Sequence, residues 1–270
     1  MRLHRVPART GLMWVRLGLS TFFKQPLALA GLFFLFMLVV SVLSLVPLLG
    51  QALALALLPA ATLGLMAATR IANSGQFPMP AVLASAFAAG RERARAMLVL
   101  GLIYAAGSLL ILGLTLLITG GAATPAVLPD PAAVPVEPGA SPRPQDLMLA
   151  PEAINRMLVS ALLHVPLGLL FWHAPALVHW HGVSPLKSLF FSALACWTNK
   201  AALLYYFLGW AAVFFGVALV LVLLGSLVGG PRFISMLLFP VAMLMSAIFF
   251  TSLYFTFRDS FETDEGQPPA

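Results

Sequence analysis

The chain has 270 residues, of which 61% are hydrophobic and only 9% are charged, and its formal net charge is +6. Soluble domains are usually about 45–50% apolar and about 25% charged, so this composition excludes a water-soluble fold. Residues 26–69 contain no charged side chain and leave room for two membrane crossings. The basic residues stand beside apolar segments without interleaved aromatic motifs. We therefore expect them to orient the chain in a membrane and not to bind nucleic acid.

Stretches of about 20 apolar residues predict an all-α membrane protein, a single domain with six transmembrane helices. The predicted spans lie near residues 26–46, 51–71, 96–119, 154–181, 201–229 and 233–257. Residues 120–151 are rich in proline, which predicts a disordered periplasmic loop. Residues 259–270 are expected to form an acidic cytoplasmic tail. Arg2, Arg5 and Arg9 precede any apolar segment, so we expect no cleavable signal peptide.

Lys and Arg residues are distributed unevenly over the two sides of this six-span arrangement. All but three of the 15 fall on the side that carries both termini, and the exceptions are Arg143, Arg156 and Arg232. An excess of Lys and Arg marks the cytoplasmic side of membrane proteins. We therefore expect both termini to lie in the cytoplasm and the proline-rich loop to face outward, which is the periplasm in a Gram-negative bacterium.

Three segments predict short amphipathic helices on the cytoplasmic surface of the membrane. The first has a polar stripe at helical spacing, formed by Arg9, Arg16, Ser20 and Lys24, opposite Leu12, Val15, Leu19 and Phe22. The second covers residues 80–95 and ends in Arg91, Arg93 and Arg95. The third begins with Ser184 as N-cap and Pro185 in the first helical position. Its buried side is expected to consist of Leu186, Leu189, Phe190, Ala193 and Trp197.

Each predicted surface helix precedes a pair of spans, which suggests a threefold repeat of surface helix and span pair. An offset of 107 residues aligns Pro59 with Pro166 and Pro78 with Pro185, although the first unit shares only the pattern. The surface helices either anchor the bundle in the bilayer or bind lipids or partners. For the second role, the expected contacts to anionic lipid head groups are Arg16, Lys24, Arg91 and Arg93.

The second span carries small residues four positions apart, namely Ala52, Ala56, Ala60, Gly64 and Ala68. Small residues along one helix face allow close helix contact in membranes. The ladder predicts a central helix of the bundle, or a homo-oligomer interface through Ala52, Ala56, Ala60 and Gly64.

Polar side chains within the spans are few, and Arg156, His164 and His173 are the candidates for lining a solute pathway. At about 100° per residue, His164 and His173 lie on opposite sides of a regular helix, which disfavours a shared metal ion. The sequence has no nucleophile elbow, zinc-protease motif or phosphate loop. We therefore predict no catalytic, metal or cofactor site and no enzyme. The lone Cys196 is expected to pack as a small apolar residue.

Two stretches resemble a known family: residues 22–38 (FFKQPLALAGLFFLFML) and residues 172–199 (WHAPALVHWHGVSPLKSLFFSALACWTN). They are similar to the uncharacterised BPSS-type inner-membrane protein family of beta-proteobacteria, and the resemblance covers most of the chain except the proline-rich loop. It implies an inner-membrane location. It brings no activity and no functional residues.

Two functional hypotheses remain. The first is a non-enzymatic scaffold that organises lipids or partners through its basic cytoplasmic surface. The alternative is a transporter or channel for a small solute, which requires a water-filled cavity reaching Arg156, His164 and His173. A solidly packed bundle favours the scaffold.

Overall fold

A computed structural model describes residues 2–47, 49–120, 151–228 and 230–262, without the side chains of residues 231, 232 and 262. It contains six helices that are long and apolar enough to cross a membrane, which confirms the predicted class. The expected disordered loop lies outside the described residues, as do residues 263–270 of the expected tail. Residues 259–260 are helical and residues 261–262 form a short strand, so they are not part of a free tail.

The chain alternates long spanning helices with shorter elements. In chain order the elements are β1 (Arg2–Leu3), α1 (Thr10–Lys24), α2 (Pro26–Ser44), α3 (Gly50–Asn73), a 3-10 turn (Pro80–Ala84), α4 (Ser85–Ala88), α5 (Arg91–Thr119), α6 (Pro151–Phe171), α7 (Ala174–His181), α8 (Pro185–Thr198), α9 (Lys200–Val228), α10 (Gly230–Ser260) and β2 (Phe261–Glu262). The spans are α2, α3, α5, α6 with α7, α9 and α10. The predicted fourth span is thus divided into two helices.

Helix α3 lies at the centre of the bundle. In its most apolar window 56% of the residues are buried, against 11% in α9. Its small residues contact other parts of the same chain: a Cβ atom on Gly101 of α5 would lie 2.2 Å from the carbonyl oxygen of Ala56, and one on Gly64 would lie 2.8 Å from the Cα atom of Leu83. The ladder therefore serves packing within the bundle, and nothing in these contacts indicates a homo-oligomer.

Helix α1 packs against α9 and α10 more deeply than its predicted role at the surface required. A Cβ atom on Gly11 would lie 2.0 Å from the carbonyl oxygen of Ala202, and one on Gly18 would lie 2.4 Å from the Cβ atom of Ser252. Trp14 is fully buried. The predicted apolar face is partly wrong, because Leu12 is 48% exposed. The two glycines permit this close approach and so determine which side faces the bundle.

The predicted second surface helix over residues 80–95 is wrong. The structure has a 3-10 turn followed by the one-turn α4, and both end before Gly90, which has a φ of 100°. That left-handed conformation is open to glycine and interrupts the helix. Arg91, Arg93 and Arg95 belong to the first turns of the spanning helix α5 instead.

Helix α8 begins at Pro185 directly after Ser184, as predicted. Of its predicted buried side, Leu189 is buried in the bundle, whereas Leu186, Phe190 and Trp197 are 73%, 62% and 70% exposed. The side chains that contact the bundle are mostly small: Ser188, Leu189, Ser192, Ala195 and Cys196. Lipid is as apolar as a protein interior, so large apolar side chains need not face the bundle in a membrane.

The short elements contact the spanning helices in a regular pattern. The 3-10 turn packs on α3, and α8 packs on α6 and α7, so each contacts the span pair before it in the chain. Helix α1, the first helix, packs on α9 and α10, the last span pair, which closes the pattern into a ring. This pattern is compatible with a threefold repeat. The 3-10 turn and α4 are much shorter than α1 and α8, however, and the repeat stays a prediction.

The contact between α3 and α5 can be tested by adding one methyl group. We expect Gly101→Ala to lower the free energy of unfolding by about 1–3 kcal/mol, because its Cβ atom would overlap the carbonyl oxygen of Ala56. Gly113→Ala on the same helix is the matched control, since a Cβ atom there meets nothing within 4 Å. Denaturant titration in mild detergent measures both, and equal stability of the two variants would contradict the close approach.

Candidate functional site

One end of the bundle carries the described parts of both chain termini, and we call it the terminal face. The ends of α3, α7 and α10 lie there with the starts of α5, α8 and α9. Trp180, near the end of α7, packs against Phe257 of α10 with ring centroids 5.1 Å apart. The guanidinium of Arg70 lies over the Trp180 ring, 5.8 Å from its centroid. The amide of Gln25, between α1 and α2, donates to the carbonyl of Gln76 after α3.

Basic side chains are concentrated on the terminal face. They are Arg2, Arg5, Arg9, Arg16, Lys24, Arg70, Arg91, Arg93, Arg95, Lys187, Lys200 and Arg258. Within the described part of the chain, only Arg258 has a carboxylate partner: its Nε atom lies 2.7 Å from Oδ1 of Asp259. Among the described residues, most of this positive charge therefore has no carboxylate partner.

The four residues expected to contact anionic lipid occupy two places on this face. Arg16 and Lys24 are exposed on α1, and Arg91 is exposed at the start of α5. Arg93 is half-buried and lies close enough to His179 of α7 to act on it electrostatically. Arg93 therefore points towards the bundle more than Arg91 does.

A polar cluster joins the two termini at this face. Strand β1 pairs with β2 in antiparallel register, with Arg2 opposite Glu262 and Leu3 opposite Phe261. The buried Asn199, between α8 and α9, accepts from the amide of Val6 and donates to the carbonyl of His4 and to the hydroxyl of Ser260. The indole of Trp14 also donates to Asp259, at 2.9 Å. These bonds hold four segments of the chain together, and the sequence analysis did not single out Asn199.

The predicted pathway residues do not come together. Arg156 is half-buried in the second turn of α6, at the end opposite the terminal face. His164 is also half-buried, and its Nδ1 atom lies 2.8 Å from the carbonyl oxygen of Ser160 in the same helix. His173 is 1% exposed and lies between Phe257 and Phe261. This arrangement does not favour the transporter alternative.

The fourth span breaks at Trp172 and His173, and a serine from α8 repairs the break. The amide of His173 donates to Oγ of Ser192 at 2.9 Å, and that hydroxyl donates to the carbonyl of Leu169, also at 2.9 Å. In a continuous helix this amide would bond directly to that carbonyl, four residues back. The Ser192 hydroxyl is therefore inserted into the helical hydrogen-bond ladder. Pro175 gives the physical reason for the break, because in a continuous helix its ring would clash with the carbonyl of Phe171.

Cys196 lies one turn beyond Ser192 and faces the same break. Its Sγ atom is 3.7 Å from the carbonyl oxygen of Leu169, and the residue is 2% exposed. Burial raises the pKa of the Cys196 thiol to about 12. A protonated, enclosed thiol is a poor nucleophile, which agrees with the predicted packing role.

The surface of the described part of the chain includes cavities of about 410 and 430 Å³. The first is at the terminal face between α5 and α8, and the second is an apolar groove between α9 and α10. Neither is lined by Arg156, His164 or His173. Among the described residues, no group of three His, Cys, Asp or Glu side chains could hold a metal ion.

The chain is similar over its whole length to a protein of Burkholderia thailandensis described as a probable inner membrane protein. The two are 33% identical over 270 residues, covering 100% of this chain and 97% of the relative. The chain belongs to this inner-membrane protein family. The resemblance to a family of beta-proteobacterial inner-membrane proteins is thereby confirmed. No protein-family model matches the chain, and no solved structure is significantly similar to it.

Membership of the inner-membrane family and the six apolar helices both indicate that the protein lies in a membrane. The protein is an integral inner-membrane protein whose spanning helices contact the lipid bilayer. The description of the relative gives no substrate or partner, so what this family member does must be argued from its terminal face and its packing.

The role of Ser192 can be tested by removing its hydroxyl. We expect Ser192→Ala to lower the free energy of unfolding by about 1–3 kcal/mol, because the amide of His173 and the carbonyl of Leu169 would be left unpaired. Ser246→Ala is the control, since that hydroxyl bonds only to the carbonyl of Ala242 in its own helix. If both variants unfold at the same denaturant concentration, the hydroxyl does not bridge the break.

Proposed function

We propose that the protein is a non-enzymatic membrane scaffold that collects anionic lipid head groups at its terminal face, and that this face and both termini lie in the cytoplasm. The observation that carries the proposal is the separation of charge. Few of the basic side chains on the terminal face have a carboxylate partner among the described residues. At the opposite end, Arg156 is the one basic side chain that the structure describes. This asymmetry supports a cytoplasmic terminal face by the positive-inside rule.

The magnitude of the effect favours a diffuse attraction. Each Lys or Arg close to an anionic membrane surface contributes about 1 kcal/mol, and the contribution falls off within a Debye length of about 8 Å at physiological salt. Arg16 and Lys24 lie on α1, whereas Arg91 lies on α5, so they do not share one pocket. The proposed role is therefore the collection of many head groups, with no single dominant contact.

The packing of the bundle supports a scaffold over a transporter. Arg156, His164 and His173 are on separate turns, and the two cavities described above do not reach them. The break in the fourth span leaves the carbonyl of Leu169 without its partner in the helix. Ser192 and Cys196 of α8 bond to this carbonyl, so it is not available to a substrate or ion. Broken helices of transporters use such groups to bind substrates or ions.

The proposal predicts that a charge-neutral terminal face retains less anionic lipid. Replacing Arg16, Lys24, Arg91 and Arg93 together by Gln should lower the ratio of phosphatidylglycerol to phosphatidylethanolamine that copurifies with the protein. The ratio in the unmodified protein should also fall as the salt concentration of the wash increases. Quantitative lipid extraction and mass spectrometry measure both ratios.

Arg156→Gln, at the opposite end of the bundle, is the matched control and should leave the ratio unchanged. Among the four substitutions made singly, we expect small and similar losses, with the smallest for the half-buried Arg93. Loss of all enrichment through one single substitution, with no effect of the other three, would contradict diffuse attraction.

A further inference from the structure

The groove between α5 and α8 combines charged and apolar walls. Its volume is about 410 Å³, and its lining includes Glu92, Arg95, Val99, Ser184 and Leu186. Glu92, Arg95 and Val99 lie at helical spacings of three and four and so share one face of α5. Leu186 and Ser184 line the groove from the start of α8.

The groove lies at the boundary between the charged and the apolar part of α5. The first turns of α5 carry charged residues up to Arg95, and the helix is apolar from Ala96 onwards. We therefore expect Glu92 and Arg95 at the level of the lipid head groups and Val99 one turn deeper. The exposed side chain of Leu186 adds a second apolar wall.

Two opposite charges in the groove lack partners. Among the residues that the structure describes, no side chain forms a hydrogen bond or a salt bridge with Glu92 or Arg95. Helices α5 and α8 both begin beside the groove, after Gly90 and Ser184, and neither start has a side-chain cap. Uncapped helix starts favour an anion, which adds to the attraction of Arg95. The groove thus offers a site for a negative group beside a site for a positive group.

We propose that this groove binds a phospholipid with a zwitterionic ethanolamine head group. The phosphate lies against Arg95 and the uncapped helix starts, the ammonium lies against Glu92, and the first part of an acyl chain follows Val99 and Leu186. Neither Glu92 nor Arg95 is among the four residues whose substitution tests the diffuse attraction, so the two tests are separate. A glycerol head group has no cation for Glu92, so phosphatidylglycerol should bind more weakly here.

The experiment titrates the full-length, delipidated protein in detergent with phosphatidylethanolamine or phosphatidylglycerol of identical acyl chains. Native mass spectrometry gives the dissociation constants. Glu92→Gln should weaken binding of phosphatidylethanolamine about fivefold, as expected for an exposed ion pair, and leave phosphatidylglycerol unchanged or tighter. Arg95→Gln should weaken both lipids, because both carry a phosphate. Glu152→Gln, which removes an exposed carboxylate at the opposite end of the bundle, should leave phosphatidylethanolamine binding unchanged.

Several outcomes would overturn the proposal. Unchanged binding of phosphatidylethanolamine by Glu92→Gln would show that the carboxylate does not hold the ammonium. Equal affinity of the fourfold Gln variant, which lacks the proposed diffuse attraction, for the two lipids would show that the groove does not select a zwitterion. Free phosphoethanolamine competing as well as the lipid would indicate a soluble ligand. Circular dichroism of each variant verifies that the helices are retained, and the fourfold Gln variant described above tests the diffuse attraction separately.

Discussion

A chain that crosses a bilayer must satisfy its own backbone hydrogen bonds, because the hydrocarbon interior offers no partner. The six spans satisfy this constraint as helices. The interruption at Trp172 and His173 frees the carbonyl of Leu169, and the hydroxyl of Ser192 from α8 pairs with it. Helix α8 is therefore more than an anchor at the membrane surface, since it completes the hydrogen bonding of a neighbouring span. This requirement also explains why its small polar side chains face the bundle.

Close approach between helices depends on glycine at a few positions. The backbone of α5 meets α3 where Gly101 faces Ala56, and α1 meets α9 and α10 at Gly11 and Gly18. In lipid, the large apolar side chains gain little by turning inward, so packing between small residues decides which faces meet. The same reasoning explains why Phe190 and Trp197 can lie outside the bundle although they are large and apolar.

The sequence predicted the features that depend on local composition. Charge-free stretches located the spans, and Ser184 with Pro185 located the start of α8. The prediction failed at residues 80–95, because the left-handed Gly90 separates the arginines from the preceding turn and assigns them to α5. Asn199 and Ser192 were missed because their partners, His4, Ser260 and Leu169, are brought to them only by the fold. Periodicity along one helix carries no information about such long-range hydrogen bonds.

The basic terminal face is proposed to lie in the cytoplasm, where it can meet anionic head groups. Cys196 is buried, so single cysteines introduced elsewhere can be labelled against little background. The most direct test compares Lys187→Cys on the terminal face with Ala140→Cys in the proline-rich segment, using a membrane-impermeant maleimide on cells whose outer membrane is permeabilised. If the terminal face is cytoplasmic, the cysteine at position 140 is labelled directly and the cysteine at position 187 only after the inner membrane is disrupted. Labelling at position 187 while the inner membrane is intact would contradict it.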